Sequence, residues 1–542
     1  MGRRKLWRRR RLIEPATPTG GEAHGAARLG PSERRPWALA VAVVLAIAAY
    51  ALAGALPFAA DTGDHAPRMA LAVTALTAGC WLLRALPLGA ASLLPLALLP
   101  LLGAQPTADV AKSYAHPILW LFVGGFILAL GVERWDLHRR LALWIIARLG
   151  VRPRRLVLGF LLAGLVLSMW LSNTATALML LPIGQALADR LQRETRLDHE
   201  AGRRLGLCLM LAIAYGCSIG GVASPLGSPT NLLFLSFWQG FQERGAPVLS
   251  FPAWLLCFVP LAVGMGLVTW AFLVRVAHPL PRGSDDAVES LRRELAALPR
   301  LNAAQRRVLA LFGLAALLWA TRADIQIGGG PALPGWASLL GYPDRSWVHD
   351  GSVAVAVAIA MFVVPSGGRG SPPLMDWPTA SRLRFDILFL LGGGIAIAGA
   401  LTSTGVCDAL GESLGPALAG TSPWLAVLAV VLFVIFLTEI TSNTAIIAVM
   451  LPVLIAVAAQ AEVDPRVVML PATIAASFAF MFPVATPPNA VVFASGRVTF
   501  AQMAATGFAL NLVAALALWG WCRVWVFPLL GIDVDTVPPW GR

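Results

Sequence analysis

One polar phrase occurs twice in this chain, each time inside a long apolar run. The first copy reads Ser168-Met169-Trp170-Leu171-Ser172-Asn173-Thr174-Ala175 and closes with Leu181-Pro182. The second reads Thr438-Glu439-Ile440-Thr441-Ser442-Asn443-Thr444-Ala445 and closes with Leu451-Pro452, so that every equivalent pair stands 270 positions apart, as Ser172 and Ser442 do. A register held from leading hydroxyl to closing proline is an internal repeat, and it commits the chain to two related halves. In hydrocarbon, hydroxyl and amide groups persist only where something satisfies them. The repeat therefore marks a buried polar site.

The surroundings are those of a membrane. Of 542 residues, 57% are hydrophobic and 13% charged, which excludes a water-soluble globule with a polar surface. The formal charge of +13 does not mark a nucleic-acid partner, because the arginines sit at the ends of apolar segments and act as topology signals. The cysteines (80, 208, 217, 257, 407 and 522) show no CxxC spacing and read as small buried hydrophobes.

An Arg-rich tail over 1–36, read as disordered and cytoplasmic, precedes apolar segments near 37–56, 69–84, 87–104 and 116–133. Four crossings return the chain to the inside, where Arg134, Arg139, Arg140, Arg148, Arg152, Arg154 and Arg155 crowd an amphipathic segment at 136–149 that suits the membrane surface. The first polar phrase then separates apolar runs 156–170 and 175–188, and both outer flanks are basic. A straight helix would carry one basic flank to the wrong side; a re-entrant hairpin keeps both inside, with Ser172-Asn173-Thr174 at its tip.

A crossing at 204–241 is broken by Ser224-Pro225-Leu226-Gly227-Ser228-Pro229-Thr230-Asn231, where two prolines remove helix donors. A crossing at 251–276 and a cytoplasmic surface helix over 281–307 complete the first half. The second half repeats the plan. Spans near 308–320, 350–365 and 385–402 lead to a second hairpin over 423–459, a second broken helix over 466–495 interrupted at Ala485-Thr486-Pro487-Pro488-Asn489, and a last span near 503–528. The flanks of the second hairpin carry little positive charge, so the two hairpins enter from opposite faces. Two halves of inverted topology with broken helices in matching places are the mark of a secondary transporter, an all-α polytopic membrane protein with its site at the midplane.

At each tip and break a helix ends inside the membrane. Free N–H ends favour anions, while carbonyl ends and unwound backbone suit a hard cation such as sodium. Neither tip nor break carries Arg or Lys. Bound cations would therefore supply the positive charge an organic anion needs, which couples the two.

Two Ser-Asn-Thr tips, each paired with a Gly/Ala-Ser/Thr-Pro-x-Asn break, resemble the divalent anion/sodium symporter family, carriers of dicarboxylates, citrate or sulfate. The resemblance covers nearly everything after the tail. It implies a homodimeric, elevator-type transporter with about eleven transmembrane helices and two re-entrant hairpins, a scaffold domain and a mobile transport domain. The units would be the tail 1–36, scaffold helices 37–150, hairpin and broken helix 151–250, second scaffold 251–420, second hairpin, broken helix and last span 421–530, and a C-terminal tail 531–542. Carried over by position, one sodium site would use Ser168, Ser172, Asn173 and Gly227, and the other Thr438, Thr441, Asn443 and Ala485. Substrate carboxylates would meet Ser172, Asn173, Thr174, Ser442, Asn443 and Thr444, with Ser228, Thr486 and Pro487 beside them. Ser228 stands where the family often has Thr, and Thr230 replaces the commoner second proline. No cofactor beyond the coupling sodium is implied. The expected setting is the lipid of a cell membrane, a bacterial inner membrane, with the N-terminus cytoplasmic and the C-terminus outside.

Other readings stand beside this one. A sodium-independent dicarboxylate exchanger or a sulfate or oxyanion transporter would use the same fold. A polytopic enzyme acting on lipids would need an HxxxD or a clustered acidic site at a span end, and the sequence has neither. Glu439 is a candidate proton carrier, but Met169 holds its place in the first half, so it reads as a satisfied structural carboxylate. Gly124-Gly125 and Gly392-Gly393-Gly394 read as close helix packing, the His residues as span-end groups, and the 19 Trp as mostly interface anchors.

Overall fold

The computed structural model describes residues 36–54, 65–150, 152–194, 199–281, 300–324, 334–341, 347–407, 409 and 422–541. The expected disordered tail and most of the expected surface helix at 281–307 lie outside them. The principal helices of the first half are α1 (Pro36–Ala53), α2 (Ala66–Leu83), α3 (Leu88–Ala91), α4 (Leu94–Leu101), α5 (Pro117–Arg134), α6 (Leu137–Leu149), α7 (Pro153–Ser168), α8 (Asn173–Glu194), α9 (His199–Val222), α10 (Pro229–Gln242) and α11 (Phe251–Phe272). Those of the second are α12 (Ala303–Arg322), α13 (Asp350–Val363), α14 (Phe385–Ser403), α15 (Pro423–Thr438), α16 (Asn443–Gln460), α17 (Arg466–Ala475), α18 (Pro487–Phe493) and α19 (Phe500–Trp521). No strand occurs among the described residues, and 8 helices are long and apolar enough to cross a membrane.

Boundaries follow local chemistry. Proline opens α5, α7, α10, α15 and α18, where its missing N–H costs nothing. Reciprocal capping boxes start α12 (Asn302 with Gln305) and α19 (Thr499 with Gln502). The amphipathic segment is the helix α6, stopped by Gly150 at φ 91°.

Two expectations are corrected. The apolar run 87–104 is not one straight span: it kinks at Ser92 and Leu93 between α3 and α4, where the Ser92 hydroxyl back-bonds to Leu88 and Tyr114 donates to the Ser92 carbonyl at 2.6 Å. Residues 303–307 belong to α12, not to a surface helix. Of the tryptophans, Trp81, Trp238, Trp254 and Trp319 belong to the core, each buried and donating its indole N–H to Ser92, Pro247, Val222 and Asp350 respectively. The C-terminal segment is also packed down. Arg466, buried in an ion pair with Asp464 at 2.6 Å, packs against both Trp238 and Trp540, whose rings also meet edge to face at 5.1 Å.

The centre of the molecule is α9, which is buried throughout residues 205–222. It lies against α7 because Gly216 and Gly220 form a small-residue stripe there. A Cβ at Gly216 would stand 2.5 Å from the Leu161 carbonyl oxygen, and one at Gly220 only 2.2 Å from that of Leu165. Gly220→Val is therefore expected to abolish the monodisperse peak of detergent-extracted protein in gel filtration, while Gly240→Ala, with nothing within 4 Å, leaves it intact. The paired glycines are close-packing sites too: Gly124 meets the Ala354 backbone and Gly392 the Tyr114 ring. Across the halves the pattern is reciprocal. Helix α8 packs on α18, and α16 packs on α10, so each tip helix lies against the broken helix of the other half.

Candidate functional site

In the first half, α7 and α8 are joined by a short turn, and Asn173 is the first residue of α8. Ser168, buried at the end of α7, donates from Oγ to Asn173 Oδ1 at 2.7 Å. The Asn173 amide in turn lies on the backbone of α9: a Cβ at Gly221 would meet its Nδ2 at 2.9 Å and its Oδ1 at 3.0 Å, and the Gly227 carbonyl oxygen at 3.1 Å. Ser168, Asn173 and Gly227 are thus drawn together. Only glycine permits this approach at 221 and 227, because a Cβ at Gly227 would stand 2.6 Å from the Gly221 oxygen.

The break between α9 and α10 runs over 223–228. Asn231 stitches it, donating from Nδ2 to the Gly221 carbonyl at 2.9 Å and the Ser224 carbonyl at 2.8 Å. Ser224 Oγ donates to the Met169 carbonyl, fastening break to tip. Ser228 caps α10, where its Oγ lies 2.8 Å from Thr230 Oγ1.

The second half repeats the stitch. Asn489 donates to the Ala479 and Phe482 carbonyls, both at 3.1 Å, ten and seven residues back as in the first half. Thr486 caps α18 by accepting from the Asn489 N–H at 3.3 Å. Sequence reasoning placed both asparagines in the break motif without giving them a role, although an Asn closing each break was a usable signal.

The two halves differ in detail. The second break is longer than expected, running over 476–486 rather than over the residues around Ala485 alone. The cause is Glu439, which is 1% exposed and accepts from the N–H groups of Met481 at 2.9 Å and Phe482 at 3.0 Å and from Asn511 Nδ2 at 2.6 Å. Asn511 Oδ1 also accepts from the Phe480 N–H at 3.2 Å, and Tyr215 donates to the Phe480 carbonyl at 2.9 Å. Gly507 admits this unwound stretch, since a Cβ there would lie 2.3 Å from the Phe480 oxygen. The backbone can leave the helix inside the membrane because side chains replace its lost partners. Glu439 is a satisfied carboxylate, and Asn511 is a residue the sequence gave no signal for.

The second set of expected sodium ligands is not joined as the first is. Thr438 Oγ1 donates back to Ile435 at 2.8 Å and Thr441 Oγ1 to Leu437 at 3.0 Å, and neither bonds Asn443. Asn443 Oδ1 and Asn489 Oδ1 are buried without a hydrogen-bond partner. Orphaned buried amide oxygens of this kind fit a hard cation or a water as their missing partner. Ser172, Thr174, Ser442 and Thr444 are half-buried at the tips, Ser228, Thr486 and Ala485 are buried, and Pro487 is exposed. Ser442 occupies the N-cap of α16 without a side-chain capping bond, so that helix start presents open N–H donors.

Comparison with known proteins decides the lineage. A family model described as the sodium:sulfate symporter transmembrane region matches residues 37–532. The chain belongs to the sodium:sulfate symporter family. Sodium-dependent dicarboxylate transporter SdcS of Staphylococcus saprophyticus is 36% identical over 481 residues, covering 86% of this chain and 88% of the relative. The SdcS of Staphylococcus aureus is 36% identical over 478 residues with the same coverage. Among solved structures, the YdaH transporter of Alcanivorax borkumensis aligns with TM-score 0.48 at 15% identity, covering 78% of this chain and 88% of that one. As a sodium:sulfate symporter family member the protein is a multi-pass membrane transporter and not an enzyme.

Proposed function

We propose that the protein is a sodium-coupled symporter of a C4-dicarboxylate such as succinate or malate. The observation that carries this reading is the pair of tip-to-break units built from uncharged donors, one with Asn173 folded onto Gly221 and Gly227, the other with buried unpartnered oxygens on Asn443 and Asn489. Both offer oxygen ligands to sodium and helix starts to carboxylates, and neither holds a fixed cation of its own. The names of two relatives, each 36% identical, support dicarboxylate as substrate.

In this reading one sodium lies among Ser168, Ser172, Asn173 and Gly227, and another among Thr438, Thr441, Asn443 and Ala485. The dicarboxylate spans Ser172-Asn173-Thr174 and Ser442-Asn443-Thr444 beside Ser228, Thr486 and Pro487. For Thr438 and Thr441 to serve as ligands, their hydroxyls must keep donating to Ile435 and Leu437 while a lone pair faces the ion, which the hydroxyl inventory permits. The halves are inverted in the membrane, the hairpin and broken-helix segments 151–250 and 421–530 move as the transport domain of an elevator, and segments 37–150 and 251–420 hold a homodimer in the lipid of a cell membrane. The N-terminus is cytoplasmic and the C-terminus extracytoplasmic.

Sulfate is the second reading, favoured by the description of the family model. Uptake of labelled succinate, malate, citrate and sulfate into proteoliposomes, with sodium replaced by choline in parallel, separates the readings. Sodium-driven succinate uptake is expected; sulfate uptake without succinate uptake, or uptake indifferent to choline, overturns the proposal.

The division of labour has its own test. Ser168→Ala removes the hydroxyl that orients Asn173 and is expected to raise the half-saturating sodium concentration about tenfold, the equivalent of one lost hydrogen bond to a charged ligand. Thr486→Ala should raise the succinate KM more than the sodium requirement. Equal shifts in both ligands for either variant would contradict the assignment.

A further inference from the structure

Although the tips and breaks carry no cation, the fold brings one to the second break. Arg84 follows α2 and lies 400 positions from Val484, yet its Nη2 reaches the Val484 carbonyl oxygen at 3.5 Å, two residues before Thr486. Its backbone is unusual: Arg84 is the C-cap of α2 in the left-handed region, φ 53° and ψ 39°, with the helix closed by an N–H bond to the Cys80 carbonyl. That position is ordinarily glycine or asparagine, so an arginine there is held against its backbone preference. Such outliers point toward function. Arg84 is exposed and Val484 is 57% exposed, so the second break reaches the protein surface where α2 ends.

The guanidinium has five N–H donors, and the Val484 carbonyl engages one nitrogen. No carboxylate pairs with Arg84 among the described residues. Asp386, whose backbone lies close to Gly89, is bound to Arg384 at 2.7 Å. The remaining fork matches a carboxylate in shape and charge.

We propose that Arg84 is a substrate contact on one face only: it takes up a carboxylate of the dicarboxylate as that ion enters or leaves past Val484 and Thr486 on the cytoplasmic side. The assignment rests on the dicarboxylate reading and on the topology proposed above, in which α2 ends inside. Deeper in the site the anion passes to uncharged donors, so the arginine holds it transiently and does not trap it.

The test is side-specific. Succinate KM is measured for wild type, Arg84→Gln and Arg84→Lys in inside-out vesicles, which load from the cytoplasmic face, and in intact bacterial cells, which load from outside. Arg84→Gln is expected to raise the cytoplasmic-face KM about tenfold, the loss of one charge-assisted contact, with outside KM and sodium half-saturation unchanged. Arg84→Lys, which keeps the charge but not the fork, should restore only part of the affinity. A cytoplasmic KM that does not move, or one that rises equally on both faces, overturns the proposal. If Arg84→Gln fails to reach the membrane, wild-type vesicles decide: added choline chloride at fixed sodium should raise the cytoplasmic KM, and a flat response is contrary to the assignment. Wild type that transports no dicarboxylate defeats the underlying reading as well, whereas normal succinate transport with an unmoved Arg84→Gln KM strikes only this residue.

Discussion

Asn173→Ala and Asn443→Ala are each expected to reduce sodium-driven succinate uptake below about 1% of wild type while the protein still reaches the membrane. Each amide serves twice in the proposed site, once toward a cation and once toward the anion, and each lost contact to a charged ligand costs about 1.5–3 kcal/mol. Two such losses compound to about a hundredfold or more. Folding should survive, because the protein hydrogen bonds lost are few: Asn173 takes one hydroxyl bond from Ser168, and Asn443 Oδ1 has no protein partner to lose. Surface expression and gel filtration establish the protein's integrity beside the uptake measurement. Near-normal uptake by either variant removes that residue from the site.

Glu439→Gln is expected to lower the thermal midpoint and to cut transport more than tenfold. The substitution keeps the shape of the side chain but turns one acceptor oxygen into an NH2 donor. Oε1 accepts from Met481 N–H and Asn511 Nδ2 and Oε2 from Phe482 N–H, so whichever way the amide is turned a donor faces a donor. Leaving a buried donor unsatisfied costs about 1–3 kcal/mol, and more where a charged partner is lost. The unwound 476–486 stretch, which ends in Ala485 and Thr486, would lose its anchor. Thermal unfolding in detergent and uptake in proteoliposomes check the two effects. A variant with wild-type midpoint and transport would show that this carboxylate does not hold the break.

Much of this was legible because it is local. The prolines at 225 and 229 marked the first break, and the polar phrase placed both tips, since an Asn after Ser where helix must restart reads the same in sequence and in space, whereas the start of α7 at Pro153 lies three residues before the apolar run that signalled it. Distant partners were not legible. The length of the second break depends on Asn511, 72 residues beyond Glu439, and on Gly507, neither of which has any periodic or motif signature. The kink at Ser92 depends on Tyr114. The symmetry of the phrases also concealed a difference: Ser168 bonds Asn173, while its counterpart Thr438 bonds back to its own helix. A shared pattern fixed where the hydroxyls sit, and their local alternatives decided what they bond. Arg84 escaped notice because an isolated arginine at a span end is the commonest topology signal there is.

The central claim is that cations lend an uncharged pocket the charge a dicarboxylate needs. Parallel measurement of labelled sodium and labelled succinate entering the same proteoliposomes tests it most directly. Two tip-and-break units predict two or more sodium ions carried with each succinate, the ratio holding as the sodium concentration is varied. Succinate entry unaccompanied by sodium, at an unchanged rate in choline, would contradict the account.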